Sequence, residues 1–450
     1  MTVDRFDAVV VGAGTGGALT ALTLAEKNAK VLLIDSKEEK LIGKKVCGDA
    51  LGTHHIKNVG IPFPPKETFK GMLDTIRVYS PSTKNFMNVE GKGFALNRYK
   101  FGRWLLDMAL DKGAELLPAT RADDIVFEDG RAEQLKIVDT KTKDSKYVKA
   151  KYFVDASGFI GALRRQIPDT LGVDKEIRMS DVAILYREIR KVEKVEDLGI
   201  AKIFLDQGTA PGGYWWYFPQ DERTLNIGVG IQGGKNINPK DVFTEIIRGR
   251  TDLQKSEILD AGGGVVSLRR SLYTLVANNV LFVGDAACTA NPIHGGGIGP
   301  SMLTGRACGQ AIINALNNTE KEKEELWAAN VNFVKMYGAK AASLDVFRIF
   351  LQALTNEEIE FGMAKKLVTD EDVADLGYGT ADLSIKDKAL KMLRGFSKPG
   401  VLKHLAETAK YMKSVKQEYN RYPAYENFPV WVATVERMFR EYSNKYLPHT

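Results

Sequence analysis

The sequence predicts an α/β protein (α+β overall): a Rossmann-type nucleotide-binding domain, an inserted mostly antiparallel sheet domain, and a C-terminal helical region. Three observations predict it. An apolar run ends in Val9–Gly17 (VVVGAGTGG), followed by a second short run ending at Asp35. Between residues 176 and 267 the texture changes to short strands divided by turn residues. A further apolar run then leads into Val283–Ala287 (VGDAA) and a glycine loop. On this division residues 1–80, 97–175 and 268–319 form the discontinuous nucleotide-binding domain. Residues 81–96 and 176–267 form the sheet domain, and 320–450 the helical one.

Phe6–Val11 is continuously apolar, as a parallel strand buried on both faces must be. Gly12–Gly17 turns it into the helix Ala18–Asn28, and Val31–Ile34 is the next strand, completing a βαβ unit of the dinucleotide type. A linker with His54, Pro62, Pro64 and Pro65 follows, then short strands at Thr75–Ser80 and Phe86–Val89. Arg98–Lys112 is an amphipathic helix with Phe101, Leu105, Met108 and Ala109 on one face. Ala114–Leu117 and Arg121–Glu128 read as strands, Asp129-Gly130 as a hairpin turn, and Val154–Gly158 (VDASG) as a further piece of the nucleotide site. Ile184–Arg187, Ala201–Phe204, Tyr214–Phe218 and Thr224–Ile231 make the inserted sheet. Val280–Val283 rejoins the first sheet and Pro300–Asn317 is helical. The pattern from Glu320 to the end is helical too, punctuated by Pro399, Pro423 and Pro429.

The make-up, 44% hydrophobic and 27% charged in 450 residues, is that of a globular protein with two or three domains. A net charge of +6 is spread along the chain with no dense basic stripe, so nucleic acid is not an expected partner. Cys47, Cys288 and Cys308 are too few and scattered for a disulfide scaffold or an iron–sulfur cluster. No metal site is expected, and His54 and His55 are assigned no role. A strand opens within a few residues of Met1, leaving no room for a signal peptide, and no apolar run nears the ~20 residues of a spanning helix. The expected location is the cytoplasm, with peripheral contact at the cytoplasmic face of the membrane.

Gly12, Gly14 and Gly17 allow, respectively, a tight turn, backbone approach to a pyrophosphate, and close helix–strand packing. The helix N-terminus beneath supplies free N–H groups and partial positive charge. Asp35 stands where a carboxylate holds an adenosine ribose hydroxyl. An NAD domain completes its site within the first half of its sheet, whereas here the last piece arrives near residue 290, an FAD arrangement. Asp285 would accept a hydrogen bond from the ribityl chain, and the helix start at Gly297-Ile298 would aim N–H groups at the isoalloxazine edge. Arg98 either reaches the cofactor's phosphates or is a plain surface arginine. Gly228, Gly230 and Gly233 spell a second GxGxxG, but Pro239 and the missing strand-terminal acid make it a glycine-bearing strand and turn.

In Tyr214-Trp215-Trp216-Tyr217-Phe218-Pro219, Tyr214, Trp216 and Phe218 face one way and Trp215 and Tyr217 the other. A packed sheet face is the ordinary use of such a strand. So many large rings also suit a long apolar substrate or a cationic intermediate. His294 is a proton donor or a structural loop histidine. Cys47, in Lys45–Asp49 (KVCGD), is an active-site thiol or a small packing residue, and Cys308 could meet it as a redox pair.

The Gly12–Gly17 fingerprint, the Cys47-Gly48 loop, Asn97-Arg98, Gly284–Ala287 and Gly295–Gly299 together resemble the geranylgeranyl reductase family. So does Pro211–Pro219, which fits P-x-x-Y-x-W-x-F-P; the resemblance spans residues 5–310. The flavin motifs are shared with aromatic hydroxylases of the p-hydroxybenzoate hydroxylase fold, and the aromatic signature is the specific part. The resemblance implies an FAD enzyme saturating isoprenoid double bonds, most similar to archaeal enzymes acting on geranylgeranylated phospholipids. The implied steps are proton addition and hydride transfer from reduced flavin, with ferredoxin or NAD(P)H as alternative reductants. The implied cofactor set is Gly12, Gly14, Gly16, Gly17, Asp35, Val46, Cys47, Gly48, Asp49, Arg98, Ala122, Asp285, Gly297 and Ile298. The implied catalytic set is Cys47, Tyr214, Trp216, Tyr217, Phe218 and His294.

An isolated trisubstituted alkene has no carbonyl to accept charge, so protonating its less substituted carbon, giving a tertiary cation, is the accessible route. The rings of Tyr214, Trp216 and Phe218 could each stabilise that cation by about 1–2 kcal/mol when desolvated. Tyr214, Tyr217, Cys47, His294 and a bound water are all open as the acid. A prenyl chain gains ~0.8 kcal/mol per CH₂ on leaving water but almost nothing on leaving a bilayer, so uptake at a membrane surface is expected. The region beyond Glu320, including Leu344–Leu351 and Phe361–Leu367, would cover the substrate tunnel or dock to lipid. Two other readings use the same fold: an FAD-dependent aromatic or polyprenyl-ring monooxygenase, and a prenyl-binding relative without flavin.

Overall fold

A computed structural model describes residues 5–369 and 398–446. At its centre Arg5–Val11 runs parallel to Val31–Ile34 on one side and to Ser145–Asp155 on the other. Glu115–Leu117 and Val280–Phe282 extend the parallel order outward, and Val276–Ala277 closes one edge antiparallel. The hairpin Thr120–Glu128/Arg131–Asp139 turns at Asp129-Gly130, as expected, and pairs onto Ser145–Asp155. A parallel sheet must be covered on both faces. Accordingly the helix Thr15–Ala25 is buried along its whole length and packs against Arg98–Asp111 and Ile298–Asn317. The latter contact is close because Gly305 and Gly309 carry no side chain: a Cβ at Gly305 would meet the Gly16 carbonyl oxygen at 2.5 Å.

The second sheet has eight strands. In order across it they are Glu257–Ser267, Val182–Lys191, Thr224–Gln232, Tyr214–Asp221, Ile200–Phe204, Phe69–Tyr79, Phe86–Leu96 and Ala50–Gly52. All neighbours are antiparallel except Ile200–Phe204 with Phe69–Tyr79. The boundary expected at 80/81 therefore divides a hairpin, both arms of which belong to this sheet. The first arm was expected only from Thr75 onward, because Gly71 and Asp74 look like turn residues; register shifts lie beside both. The proline-containing linker likewise holds a short helix, His54–Val59. Thr224–Gln232 carries Gly228 and Gly230 as a plain sheet strand.

The C-terminal layer is helical where described: Glu322–Phe333, a π-turn at Val334–Gly338, then Ala339–Ala353, Asn356–Ala364, Pro399–Asn420 and Phe428–Tyr446. The expected helical pattern over 370–397 lies outside the described residues. Leu344, Val346, Phe347 and Phe350 are buried against Leu402, Leu405, Met412 and their neighbours. The apolar face of this helix is thus consumed in packing, and the alternative that Leu344–Leu351 docks to lipid falls away. Phe361 is partly buried on the same cluster and Leu367 is buried in it. The layer is tied to the rest by a buried ion network. Asp345, fully buried, accepts Arg270 Nη1 at 3.1 Å and Arg348 Nε at 2.8 Å, and Arg348 Nη2 reaches Asp181 Oδ1 at 3.0 Å. Among the described residues no helix is long and apolar enough to cross a membrane.

Candidate functional site

The glycine turn has the form its sequence implies. Gly12 takes φ +105°, and a Cβ at Gly17 would lie 1.9 Å from the Gly12 carbonyl oxygen, so only glycine lets the helix start this close to the strand. Gly16 packs against Val283 and Ser301. A Cβ at Gly14 would meet nothing within 4 Å, leaving that edge of the helix start approachable. Asp35 accepts the Ala13 and Lys37 backbone N–H groups, both at 2.9 Å, which places its carboxylate beside the turn. Ala122 is in the strand Thr120–Glu128, whose first N–H donates to the Asp35 carbonyl at 2.8 Å.

From the far end of the same sheet, Asp285 is buried in the turn Gly284–Ala287. Its carboxylate receives Lys45 Nζ at 2.7 Å and lies against Gly297, the residue that caps the helix Ile298–Asn317. Arg98 opens its helix and is buried; one guanidinium nitrogen reaches the Gly43 carbonyl at 3.4 Å while Nε has no partner. A dinucleotide fits this arrangement: an approachable helix start at Gly14, a carboxylate at each end of the sheet, and a buried guanidinium with a donor to spare.

The loop Val46–Asp49 joins this half of the site to the second sheet. Val46 lies against Gly262, where a Cβ would come within 2.6 Å of its side chain. Gly48 lies against Phe218 and Trp216: a Cβ there would be 3.1 Å from the first ring and 3.9 Å from the second. The Cys47 carbonyl accepts Asn226 Nδ2 at 2.8 Å. Trp216 fits because residue 228 is glycine; a Cβ there would stand 2.4 Å from the indole. The Tyr214 hydroxyl donates to the His294 carbonyl at 2.7 Å, tying the aromatic strand to the glycine loop.

The structure thus brings Cys47, Tyr214, Trp216 and Phe218 together, and Tyr217 is a correction. It lies on the opposite face, buried in the sheet's own core with Lys202 and Arg250 over its ring, and burial pushes its hydroxyl up to about 12. Trp215 shares that face, stacked on Phe204 at 3.7 Å. His294 Nδ1 accepts the Gly296 N–H at 3.1 Å. The residue is exposed, and desolvation, then the Lys340 ammonium, lower its pKa from the ordinary imidazole value. Cys308 is a free, fully buried thiol facing the Phe282 carbonyl, and burial pushes it up to about 12. Cys47 is also a free thiol; burial raises its pKa and the Asp49 carboxylate raises it further.

Two residues at the site had no signal in the sequence. Asn226 looked like one more strand residue, and only the register that sets it beside Cys47 and Trp216 reveals it. His55 packs onto the glycine loop: a Cβ at Gly299 would meet its ring at 2.2 Å, and its neighbour His54 lies 4.0 Å away ring to ring. Neither histidine stands at metal spacing, which is why the pair carried no meaning before.

Comparison with known proteins extends these observations. Residues 181–266 match the family model described as geranylgeranyl reductase catalytic domain, and 7–166 that of FAD dependent oxidoreductases. A digeranylgeranylglycerophospholipid reductase of Sulfolobus acidocaldarius is 35% identical over 444 residues, 98% of each chain. A reductase of the same description from Methanopyrus kandleri is 28% identical over 89% of this chain and 98% of its own. Among solved structures, a geranylgeranyl bacteriochlorophyll reductase-like protein of Thermoplasma acidophilum has a TM-score of 0.75. It is 22% identical and aligns over 90% of this chain and 99% of that one. A flavin-dependent brominase aligns at a TM-score of 0.66 with 19% identity, over 91% of this chain and 100% of that one.

Proposed function

Because this chain belongs to the geranylgeranyl reductase family, we propose that it saturates the isoprenoid double bonds of digeranylgeranylglycerophospholipids, with FAD as its cofactor. The observation that carries the reading is the seating of the Cys47–Gly48 loop on Trp216 and Phe218. A thiol and a wall of aromatic rings are thereby offered to the same space, next to the flavin half of the site.

Gly12, Gly14, Asp35 and Arg98 would hold the dinucleotide, and Asp285 with the helix start at Gly297 would hold the flavin end. When reduced, FAD supplies the hydride. This chain's residues supply the rest. Of the candidate acids, Tyr214 has its proton engaged on the His294 carbonyl, Tyr217 is on the wrong face, and His294 is neutral with Nδ1 in use. Among the side chains this leaves Cys47 as the proton donor, with a bound water as the alternative. An ordinary thiol is already protonated at neutral pH, and the Cys47 sulfur accepts the Asp49 N–H at 3.4 Å, which fixes it in place. Cys47 would pass its proton to the less substituted alkene carbon, Tyr214, Trp216 and Phe218 would face the cation that develops, and solvent would re-protonate the thiolate.

Incubating dithionite-reduced enzyme without oxygen with a digeranylgeranylated phospholipid should add H₂ per double bond, read by mass spectrometry of the lipid. A product that forms only with oxygen present would assign the chain to ring hydroxylation instead. Uptake from a membrane surface belongs to the same proposal, supported by the small transfer gain of a prenyl chain leaving a bilayer. The enzyme should co-float with anionic liposomes, and its absence from the floated fraction, with and without substrate, removes that part.

A further inference from the structure

Asp49 closes the Cys47 loop in the left-handed backbone region, at φ 59°, with its side chain only 3% exposed. One carboxylate oxygen accepts Asn226 Nδ2 at 2.9 Å and Gln220 Nε2 at 3.2 Å. Asn226, fully buried, gives the same amide to the Cys47 carbonyl and takes Trp216 Nε1 on its oxygen at 2.9 Å. The other Asp49 oxygen is buried with no partner. Cations face the carboxylate from three further elements: Arg187 in the strand Val182–Lys191, Arg98 at its helix start, and Lys70 in the strand Phe69–Tyr79. Lys70 also reaches Gln220 Oε1 at 2.9 Å.

We propose that Asp49 is a positioning residue: it ties the thiol-bearing loop to the aromatic strand and sets a negative charge beside Cys47. The inference rests on the reading that this loop and strand flank the substrate. A neutral asparagine could take the same two amide donors, and burying a charge is costly. The cost is visible, since burial, against the pull of Arg187 and Arg98, raises Asp49 to about 6. What the ionised carboxylate adds is electrostatic. A negative charge next to Cys47 disfavours the thiolate, against the opposite pull of Arg98 and Lys45.

The test is the pH dependence of Cys47 alkylation by iodoacetamide in the FAD-loaded enzyme, with the adduct located by mass spectrometry; Cys288 and Cys308 are buried. Asp49→Asn, which tolerates the left-handed backbone, should lower the alkylation midpoint and speed alkylation at pH 7 several-fold. Asn226→Ser keeps the charge but cuts the tie to Trp216, and should lower kcat without moving the midpoint. An unmoved midpoint in an Asp49→Asn enzyme that still binds FAD overturns the proposal, as does an equal shift in Asn226→Ser. If Asp49→Asn loses its FAD, the kcat of Asn226→Ser decides, an unchanged value counting against the tie. Failure of the unmodified enzyme to reduce the lipid would count against the proposed function and leaves the alkylation result readable.

Discussion

A single methyl group separates the roles of neighbouring glycines in the nucleotide turn. Gly17→Ala would set a Cβ 1.9 Å from the Gly12 carbonyl oxygen, so the turn must open and the purified protein should be colourless. Gly14→Ala meets no protein atom within 4 Å. It should melt at the unmodified temperature and yet bind FAD at least about tenfold more weakly, roughly 1.4 kcal/mol, in a titration of the apoprotein. Asp49 gives a pH signature. Its folded pKa of about 6 lies above the ordinary carboxylate value of 3.8, so the folded state binds the proton more tightly. The associated stability is fully present below about pH 4 and is lost as pH rises through about 6, by up to about 3 kcal/mol. Melting curves of Asp49→Asn against the unmodified enzyme should therefore diverge in the variant's favour between pH 4 and pH 7, and parallel curves would contradict the shift.

Strand alternation was legible from sequence, and its consequence was not. The period of two put Tyr214, Trp216 and Phe218 on one face, but nothing in it says which face meets the flavin loop, and Tyr217 was accordingly kept as a candidate acid. The deciding contacts are with Gly48 and Gly228, one far upstream and one on the adjacent strand. Pro239 sufficed to show that Gly228, Gly230 and Gly233 do not bind a nucleotide; that Gly228 makes room for an indole needed the register. Gly228→Ala should push Trp216 off its place and lower kcat by roughly tenfold while FAD remains bound. Normal turnover in this variant would remove Trp216 from the cation-stabilising wall. The helix His54–Val59 was hidden by the proline-rich stretch beside it, and with it the packing of His55 on Gly299.

At the scale of the molecule, the order of the flavin motifs along the chain was enough to foresee a sheet closed from both ends, because that order follows from the connectivity of a parallel sheet. The assignment of the hairpin Phe69–Leu96 was not foreseeable in this way: its partner strand Ile200–Phe204 lies more than a hundred residues downstream. The C-terminal layer carried no motif, and the structure ties it down through Asp345. Asp345→Asn would leave Arg270 buried without a carboxylate partner and Arg348 with Asp181 alone, a loss of about 3–5 kcal/mol in denaturant melts. A change below about 1 kcal/mol would mean that the apolar cluster alone holds the layer. The one parallel pairing in the second sheet has a practical corollary. A fragment cut to residues 181–266 alone would strip the Phe69–Tyr79 partner from Ile200–Phe204, exposing a bare row of amides and carbonyls. Such a piece should run as aggregate on a sizing column, so the unit that can be excised, grafted or evolved is the interleaved pair of sheets and not the catalytic segment by itself.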